Sequence, residues 1–322
     1  MFSKVSVIIP ALNEERHIGQ CLGALSEIDR AGLPVEVIVV DNGSTDRTVE
    51  IARQAGVRVL ERPGIRIAAM RNAGVASSKG DLLAFVDGDC VVKKDWLTSA
   101  IKAIKREGAA AVGSFHITPE EAGWIGRTAE ALQSTKVGSR INYIPSGNLI
   151  ATRAAFEKVR GFNEALETSE DVDFCHRLKE AGFKLFIDPA ISSVHHGAPK
   201  TVSEMFAREM WHGKNTCTVF INDLLKARNR NLILFSGINL VLLLSMLAGA
   251  IVFLLAGHPA LLLAAAALYL ALNLLLAIKD RKKTRYSLVS LFFYDIIYGL
   301  ARSASIVSWA LRSIFSGKAA KQ

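Results

Sequence analysis

Between Arg230 and Lys279 the chain carries no Asp, Glu, Lys or Arg. No other feature of the 322 residues constrains the fold so tightly. An uncharged apolar run of that length has two environments open to it, a bilayer or the centre of a large core. The run divides into "NLILFSGINLVLLLSMLAGAIVFLLAG" (231–257) and "PALLLAAAALYLALNLLLAI" (259–278). Each half is long enough to cross a hydrocarbon layer, for which about 20 residues suffice. A buried hairpin in a soluble core is the rival, and the unbroken length favours the membrane. Lys226, Arg228 and Arg230 precede the first span; Lys279, Arg281, Lys282, Lys283 and Arg285 follow the second; the loop "GHPA" between them has no Lys or Arg. That asymmetry puts both ends of the hairpin on the cytoplasmic side.

The formal net charge of +9 owes much to these flanks. They read as contacts with anionic membrane lipids. Nucleic acid is not an expected partner, because the basic residues gather beside the spans and not with aromatics on one face. The start, "MFSKVSVIIPALNEER", has too short an apolar run for a signal peptide, so the part before the spans is expected to be cytoplasmic. Cys21, Cys90, Cys175 and Cys217 lie far apart with no C-x-x-C spacing. Neither a zinc site nor a disulfide framework is expected.

The first half alternates strands with helices. Residues 4–10, 35–41, 57–61, 81–87 and 109–115 read as strands, and 14–28, 44–56, 65–80 and 93–108 as helices. This pattern predicts an α/β fold with a mostly parallel sheet covered on both faces. Further on, 169–182 reads as a helix capped by Thr168 or Ser169, 183–189 and 192–197 as strands, and 201–230 as a helix leading to the membrane. Two domains are expected, 1–222 and 223–322, with spans at about 232–256 and 259–278. The last segment, 287–315, is apolar but carries a polar stripe: Asp295, Tyr298, Arg302, Ser305, Trp309, Arg312. It reads as a helix lying in the membrane interface, with a third span as the rival.

In such sheets ligands bind beyond the carboxyl ends of the strands. There the chain places Pro10, Asn13 and Glu14 after the first strand, Asp41 after the second, and Asp87-Gly88-Asp89 after the fourth. Asp-Gly alone is a common turn pair. As a calcium loop it fails, because Val91 and Val92 stand where an EF-hand needs Asp or Asn and then Gly. As a Mg²⁺ or Mn²⁺ site it works, since hard cations take carboxylate oxygens together with substrate phosphates. Gly88 is expected to let the backbone turn so that both carboxylates reach the cation. Neither G-x-x-x-x-G-K-[ST] nor G-x-G-x-x-G is present, which argues for a metal-held diphosphate and against a phosphate loop. Asp171 lies in the first turn of its helix, where the dipole favours the ionised form and a carboxylate can serve as base. Glu170 and Asp171 are also ordinary first-turn residues, and His195 and His196 read equally as ligands or as surface.

Several stretches resemble family 2 glycosyltransferases of the GT-A fold. They are "SVIIPALNEE", "VIVVDNGSTDRT" (37–48), "RNAG" (71–74), "LLAFVDGDC" (82–90), "SGNLIATRAAFEKVRGFNE" (146–164) and "SEDVDFCHRL" (169–178), in that order. The resemblance implies an inverting, metal-dependent transfer from a nucleotide-diphosphate sugar. It places Pro10, Asn13 and Glu14 in the nucleoside pocket, Asp41 on the base, and Arg71 and Asn72 on the donor. Asp87, Gly88 and Asp89 would serve the ribose and the metal-bound diphosphate, with Asp89 and His195 as ligands of Mg²⁺ or Mn²⁺ and His196 next in line. Gly147, Asn148 and Glu170 would border the acceptor, and Asp171 would be the base.

Two stretches depart from known subgroups. Arg208-Glu209-Met210-Trp211 does not match the Gln-x-x-Arg-Trp of processive synthases, and "CVVKKDW" replaces the residues usual in polyprenyl-phosphate sugar synthases. The acceptor implied is a hydroxyl of a lipid-linked, polysaccharide or glycolipid molecule at the cytoplasmic membrane face. A polyprenyl-phosphate sugar synthase and a non-catalytic nucleotide-sugar-binding membrane protein are the alternatives.

Overall fold

The computed structural model describes residues 2–134, 137, 138, 141, 143–213 and 230–319, apart from the side chains of 134, 230–233 and 313–319. The expected domain boundary at 222, Cys217 and the end of the helix expected over 201–230 lie outside the described residues. Contacts divide the chain into two compact units, one of Met1–Glu121 with Gln133–Ala198 and one of Ala122–Leu132 with Pro199–Gln322.

In chain order the first unit contains β1 (Val5–Ala11), α1 (Ile18–Glu27), β2 (Val35–Asp41), α2 (Thr48–Gln54), β3 (Arg58–Glu61), α3 (Ile67–Ala76), β4 (Leu82–Val86), β5 (Cys90–Val92), α4 (Trp96–Glu107) and β6 (Ala111–Gly113). After α5 (Trp124–Ser134) come β7 (Asn148–Thr152), α6 (Arg153–Lys158), α7 (Glu170–Glu180), β8 (Leu185–Ile187) and β9 (Ser193–His195). Seven strands form one sheet in the order β3-β2-β1-β4-β7-β6-β8, and β5 pairs with β9 in a separate ribbon. The sheet is mostly parallel, as the alternating pattern requires; β7 alone runs against its neighbours β4 and β6.

The pleat explains why β1 is apolar at every position but Ser6. Val5, Val7, Ile9 and Ala11 face a core with Ile18, Cys21, Leu25, Trp96 and Leu97. Ile8 faces a second core with Met70, Phe156, Phe162 and Phe174 on the opposite side. A strand buried on both faces has no polar alternation. The β1–β4 ladder ends at Ile8 with Phe85, whereas β1 and β2 stay paired to Ala11 with Asp41. Pro10 lies past the last β4 rung, where a residue without an N–H removes no bond from that ladder.

The second unit holds most of α5, together with α8 (Val202–Gly213), α9 (Arg230–Ala256), α10 (Ala260–Thr284) and α11 (Leu288–Ala319). Ile125, Met205 and Tyr294 form its small apolar core. Among the described residues, Leu234–Ala256 and Ala260–Thr284 are the two helical stretches long and apolar enough to cross a membrane. Their large side chains point outward, with Leu254 81% and Leu255 83% exposed. Asn239 and Asn273 are instead fully buried. Each amide donates to a carbonyl one turn back, Phe235 O at 2.9 Å and Tyr269 O at 2.8 Å. Apolar outside and polar inside is the reverse of a soluble core and matches a lipid surround.

Part of the polar stripe of α11 turns inward within the second unit. Asp295, Arg302 and Ser305 are buried, and Arg302 Nη2 donates to Glu209 Oε2 of α8 at 2.8 Å. Arg302 and Glu209 match each other's charge across this contact, whereas Asp295 Oδ2 is buried without a hydrogen-bond partner.

Candidate active site

The loops leaving β1 and β2 are stitched together. Asn13 adopts the left-handed backbone conformation with φ 56°, tolerated by asparagine. Its N–H donates to Ser44 Oγ and its Oδ1 accepts from Thr45 N, both at 2.9 Å. Glu14 N donates to Thr48 Oγ1 at 2.7 Å. Asp41 is 1% exposed, and its Oδ2 accepts from Gly43 N at 2.8 Å and Ser44 N at 3.0 Å. In this structure Asp41 closes the turn that carries Ser44, a local use of aspartate at strand ends. Pro10 is buried in β1 beneath these loops.

Arg71, expected on the donor, is held inside the protein against two carboxylates. Only 1% of it is exposed. From α3 its Nη2 donates to Asp87 Oδ1 at 2.8 Å and its Nη1 to Glu170 Oε1 at 2.7 Å. Burial works against the guanidinium charge, but the carboxylates of Asp87 and Glu170 overcome it and raise its pKa. One cation therefore ties the Asp-Gly-Asp turn to the first turn of α7. Ser146 Oγ adds a bond to Glu170 Oε1 at 3.1 Å. A β-carbon on Gly147 would overlap Asp87 Oδ2 and come within 3.1 Å of His116 Nε2, so only glycine lets this loop close on Asp87.

Asp171 follows Glu170. Ser169, at the N-cap of α7, has φ 65° and makes no side-chain cap bond, so the expected capping by Thr168 or Ser169 is replaced by a left-handed turn. Asp171 Oδ1 accepts from its neighbour Val172 N at 2.8 Å and Oδ2 from Ser146 N at 3.4 Å. Burial, then the adjacent Glu170 carboxylate, push Asp171 up to about 7 against the lowering pull of Arg71. Glu14 is also pushed up to about 7, by burial and by the charges of Asp89 and Asp87. Carboxyls poised near neutrality suit proton transfer.

Asp89 meets His195 through the small ribbon, in which Cys90 of β5 stands opposite His195 of β9. His195 Nε2 lies 3.2 Å from Asp89 Oδ2. Burial opposes ionisation of Asp89, but the hydrogen bond and charge of His195 hold its pKa below the usual range. Donor atoms of Asp89, Cys90 and His195 all lie within 4.8 Å of one another. Burial pushes the Cys90 thiol up, so it stays protonated and is a weak donor. A carboxylate oxygen and an imidazole nitrogen side by side fit a divalent cation. A β-carbon on Gly197 would overlap Asp89 Oδ2 and lie 3.2 Å from His195 Nε2, so this glycine preserves the space around the pair.

Some expected residues serve the scaffold. Asn72 Nδ2 donates to Phe162 O at 2.9 Å and to Glu164 Oε1 at 2.8 Å, and its Oδ1 accepts from Phe162 N at 2.9 Å. Asn148 is fully buried, held by Trp96 Nε1 at 2.8 Å and donating to Ile191 O at 2.8 Å, and presents no surface to an acceptor. Gly88 is not among the residues with positive φ; its β-carbon would lie 3.3 Å from Glu14 Cγ, so it permits close packing and not an unusual turn. His196 stacks on His17 with centroids 5.3 Å apart. Sequence reading missed His116, which stacks on His195 at 5.0 Å and has Nδ1 2.9 Å from Ser193 Oγ. Burial, then the neighbouring His195, push His116 down to about 4. A lone histidine in "SFHIT" carries no spacing that could have revealed it.

Residues 6–159 match the model of the family described as Glycosyl transferase family 2. Glycosyltransferase AglE of Haloferax volcanii is 31% identical over 234 residues, 70% of this chain and 76% of AglE. The chain belongs to glycosyl transferase family 2. A pre-mycofactocin glycosyltransferase of Mycobacterium tuberculosis is 29% identical over 223 residues, covering 65% of this family 2 chain but only 46% of the relative. A solved mannosyltransferase of Pyrobaculum calidifontis, in complex with GDP-Man and Mn²⁺, matches with a TM-score of 0.64 at 20% identity, over 93% of this chain and 86% of that one. That likeness shows the GT-A fold. As a family 2 glycosyltransferase, the protein is an enzyme of sugar transfer from nucleotide-sugar donors.

Proposed function

We propose that the enzyme moves a sugar, with inversion, from a nucleotide-diphosphate sugar to a hydroxyl of a lipid-linked or glycan acceptor at the cytoplasmic membrane face. The carrying observation is the Arg71 clamp, which holds Asp87 and Glu170 on one buried cation and so sets Asp171 at the same sheet edge as the Asp-Gly-Asp turn. Asp87 faces the donor, and Asp89 with His195 would hold Mg²⁺ or Mn²⁺. Such an ion supplies positive charge opposite the leaving diphosphate. The acceptor oxygen bonds to the anomeric carbon as the bond to the diphosphate oxygen breaks, and the diphosphate leaves with that electron pair. Asp171 takes the acceptor proton. A single displacement from the opposite face inverts the configuration. Residues 1–222 form the catalytic part and 223–322 the membrane part, with Asn13, Glu14 and Asp41 around the nucleoside and Gly147 beside the acceptor.

Asp171→Asn tests this. Donor binding by calorimetry is expected to hold while transfer falls by about 10²–10⁴-fold, the usual contribution of a positioned base. Retained transfer to a hydroxyl acceptor would sink the assignment. Retained transfer to a polyprenyl phosphate, already an anion, would shift the reading to a polyprenyl-phosphate sugar synthase.

A further inference from the structure

Where α10 ends and α11 begins, the second unit carries a cavity of about 450 Å³ lined by Ile278, Arg281, Lys282, Arg285 and Leu288. Its composition is divided. It is open to solvent and lined by three exposed cations together with Leu288 and the last apolar residue of the span, Ile278, 37% exposed. Among the described residues none of the three cations forms an ion pair. Basic residues at a helix C-terminus answer the dipole, which accounts for Arg281 and Lys282 and equally for Lys283 outside the cavity. It does not account for the backbone conformation of Arg285. That residue lies past the helix end in the left-handed conformation, φ 55°, a position usually given to glycine or asparagine. The N-terminus of α11, at Leu288, adds the positive end of a 32-residue helix to the same place.

A soluble anion gains nothing from the apolar walls, and an acyl chain gains nothing from the guanidiniums. A molecule with a phosphate joined to apolar chains uses both. We propose that this cavity is a specific site for the headgroup of an anionic bilayer phospholipid, its phosphate held by Arg281, Lys282 and Arg285 and the first carbons of its acyl chains against Ile278 and Leu288. This rests on the reading that α9 and α10 lie in a bilayer. It differs from diffuse attraction to basic flanks in requiring one lipid at one place.

The full chain in mild detergent would be titrated with phosphatidylglycerol, and bound lipid counted by native mass spectrometry. One tightly held lipid is expected. Arg281→Gln with Arg285→Gln should weaken it at least tenfold, and Lys279→Gln with Lys283→Gln, equal in charge but outside the cavity, less than twofold. Arg285→Gly should also weaken binding while leaving the thermal melt equal or higher, which separates lost binding from lost folding. Equal losses in the two double variants would overturn the site in favour of diffuse attraction. Displacement by inorganic phosphate would overturn the lipid as its source, and preference for polyprenyl phosphate would overturn a bilayer phospholipid. Retention of the protein in carbonate-washed membranes tests the bilayer reading separately; retention without a bound lipid would overturn this site alone.

Discussion

Arg71 shows why the acidic residues of this site coexist. Asp87, Glu170 and Asp171 converge at one sheet edge, and a buried cation between two of them offsets repulsion that would otherwise open the site. The balance is incomplete at Asp171, which is left near 7. Transfer measured as kcat/KM should therefore rise with pH through about 7 and level off above it. Stability should run the other way. A carboxyl with a raised folded-state pKa binds more protons folded than unfolded, so between about 4 and 7 its contribution to stability falls as pH rises. Asp171→Asn removes that loss. The variant should melt above the parent at pH 8 and with it at pH 4, by differential scanning fluorimetry; the reverse order would deny the burial of this charge. The positions of Asp87 and Asp89 after a strand, and of Asp171 in the first turn of a helix, were legible in the sequence because they follow from local pattern. The inward use of Arg71, Asn72 and Asn148 was not, because their partners lie 16 to 99 positions away.

At the scale of elements, the three-residue strands β5 and β9 do what no long helix in the unit does: they set Asp89 beside His195. Gly197 is the residue most exposed to test. Gly197→Ala should weaken Mn²⁺ binding at least tenfold by electron paramagnetic resonance while far-ultraviolet circular dichroism stays unchanged, since the added carbon crowds the side chains of Asp89 and His195 and no backbone. The second element-level device is the α8–α11 pair, Glu209 with Arg302, which also lies 5.0 Å from the Tyr298 ring centroid. Removing one member leaves an uncompensated buried charge, at a cost of about 3–5 kcal/mol, whereas replacing both with apolar residues is nearly neutral. Arg302→Met is expected to lower the melting temperature sharply in detergent, and Glu209→Met added to it to restore most of the loss. A double variant as unstable as the single one would show that the pair is not a matched unit.

For the whole molecule, the decisive contrast is between a first unit with two buried cores and a second whose large apolar side chains face outward. The positive flanks and the uncharged loop 257–260 give the orientation a direct test. In intact spheroplasts, His258→Cys should react with an impermeant maleimide, and Lys283→Cys only after permeabilisation. Labelling in the opposite order would invert the placement of the catalytic part.

Periodicity and residue type, both local properties, determined the alternating α/β half, the two long apolar helices and the acidic strand ends. Tertiary structure alone decided which face of α11 turned inward, that β7 runs antiparallel, and that His116 and Gly197 join His195 around Asp89. Those outcomes depend on pairings between residues distant in the chain, whose strength comes from burial and matched charge that exist only once the elements have packed.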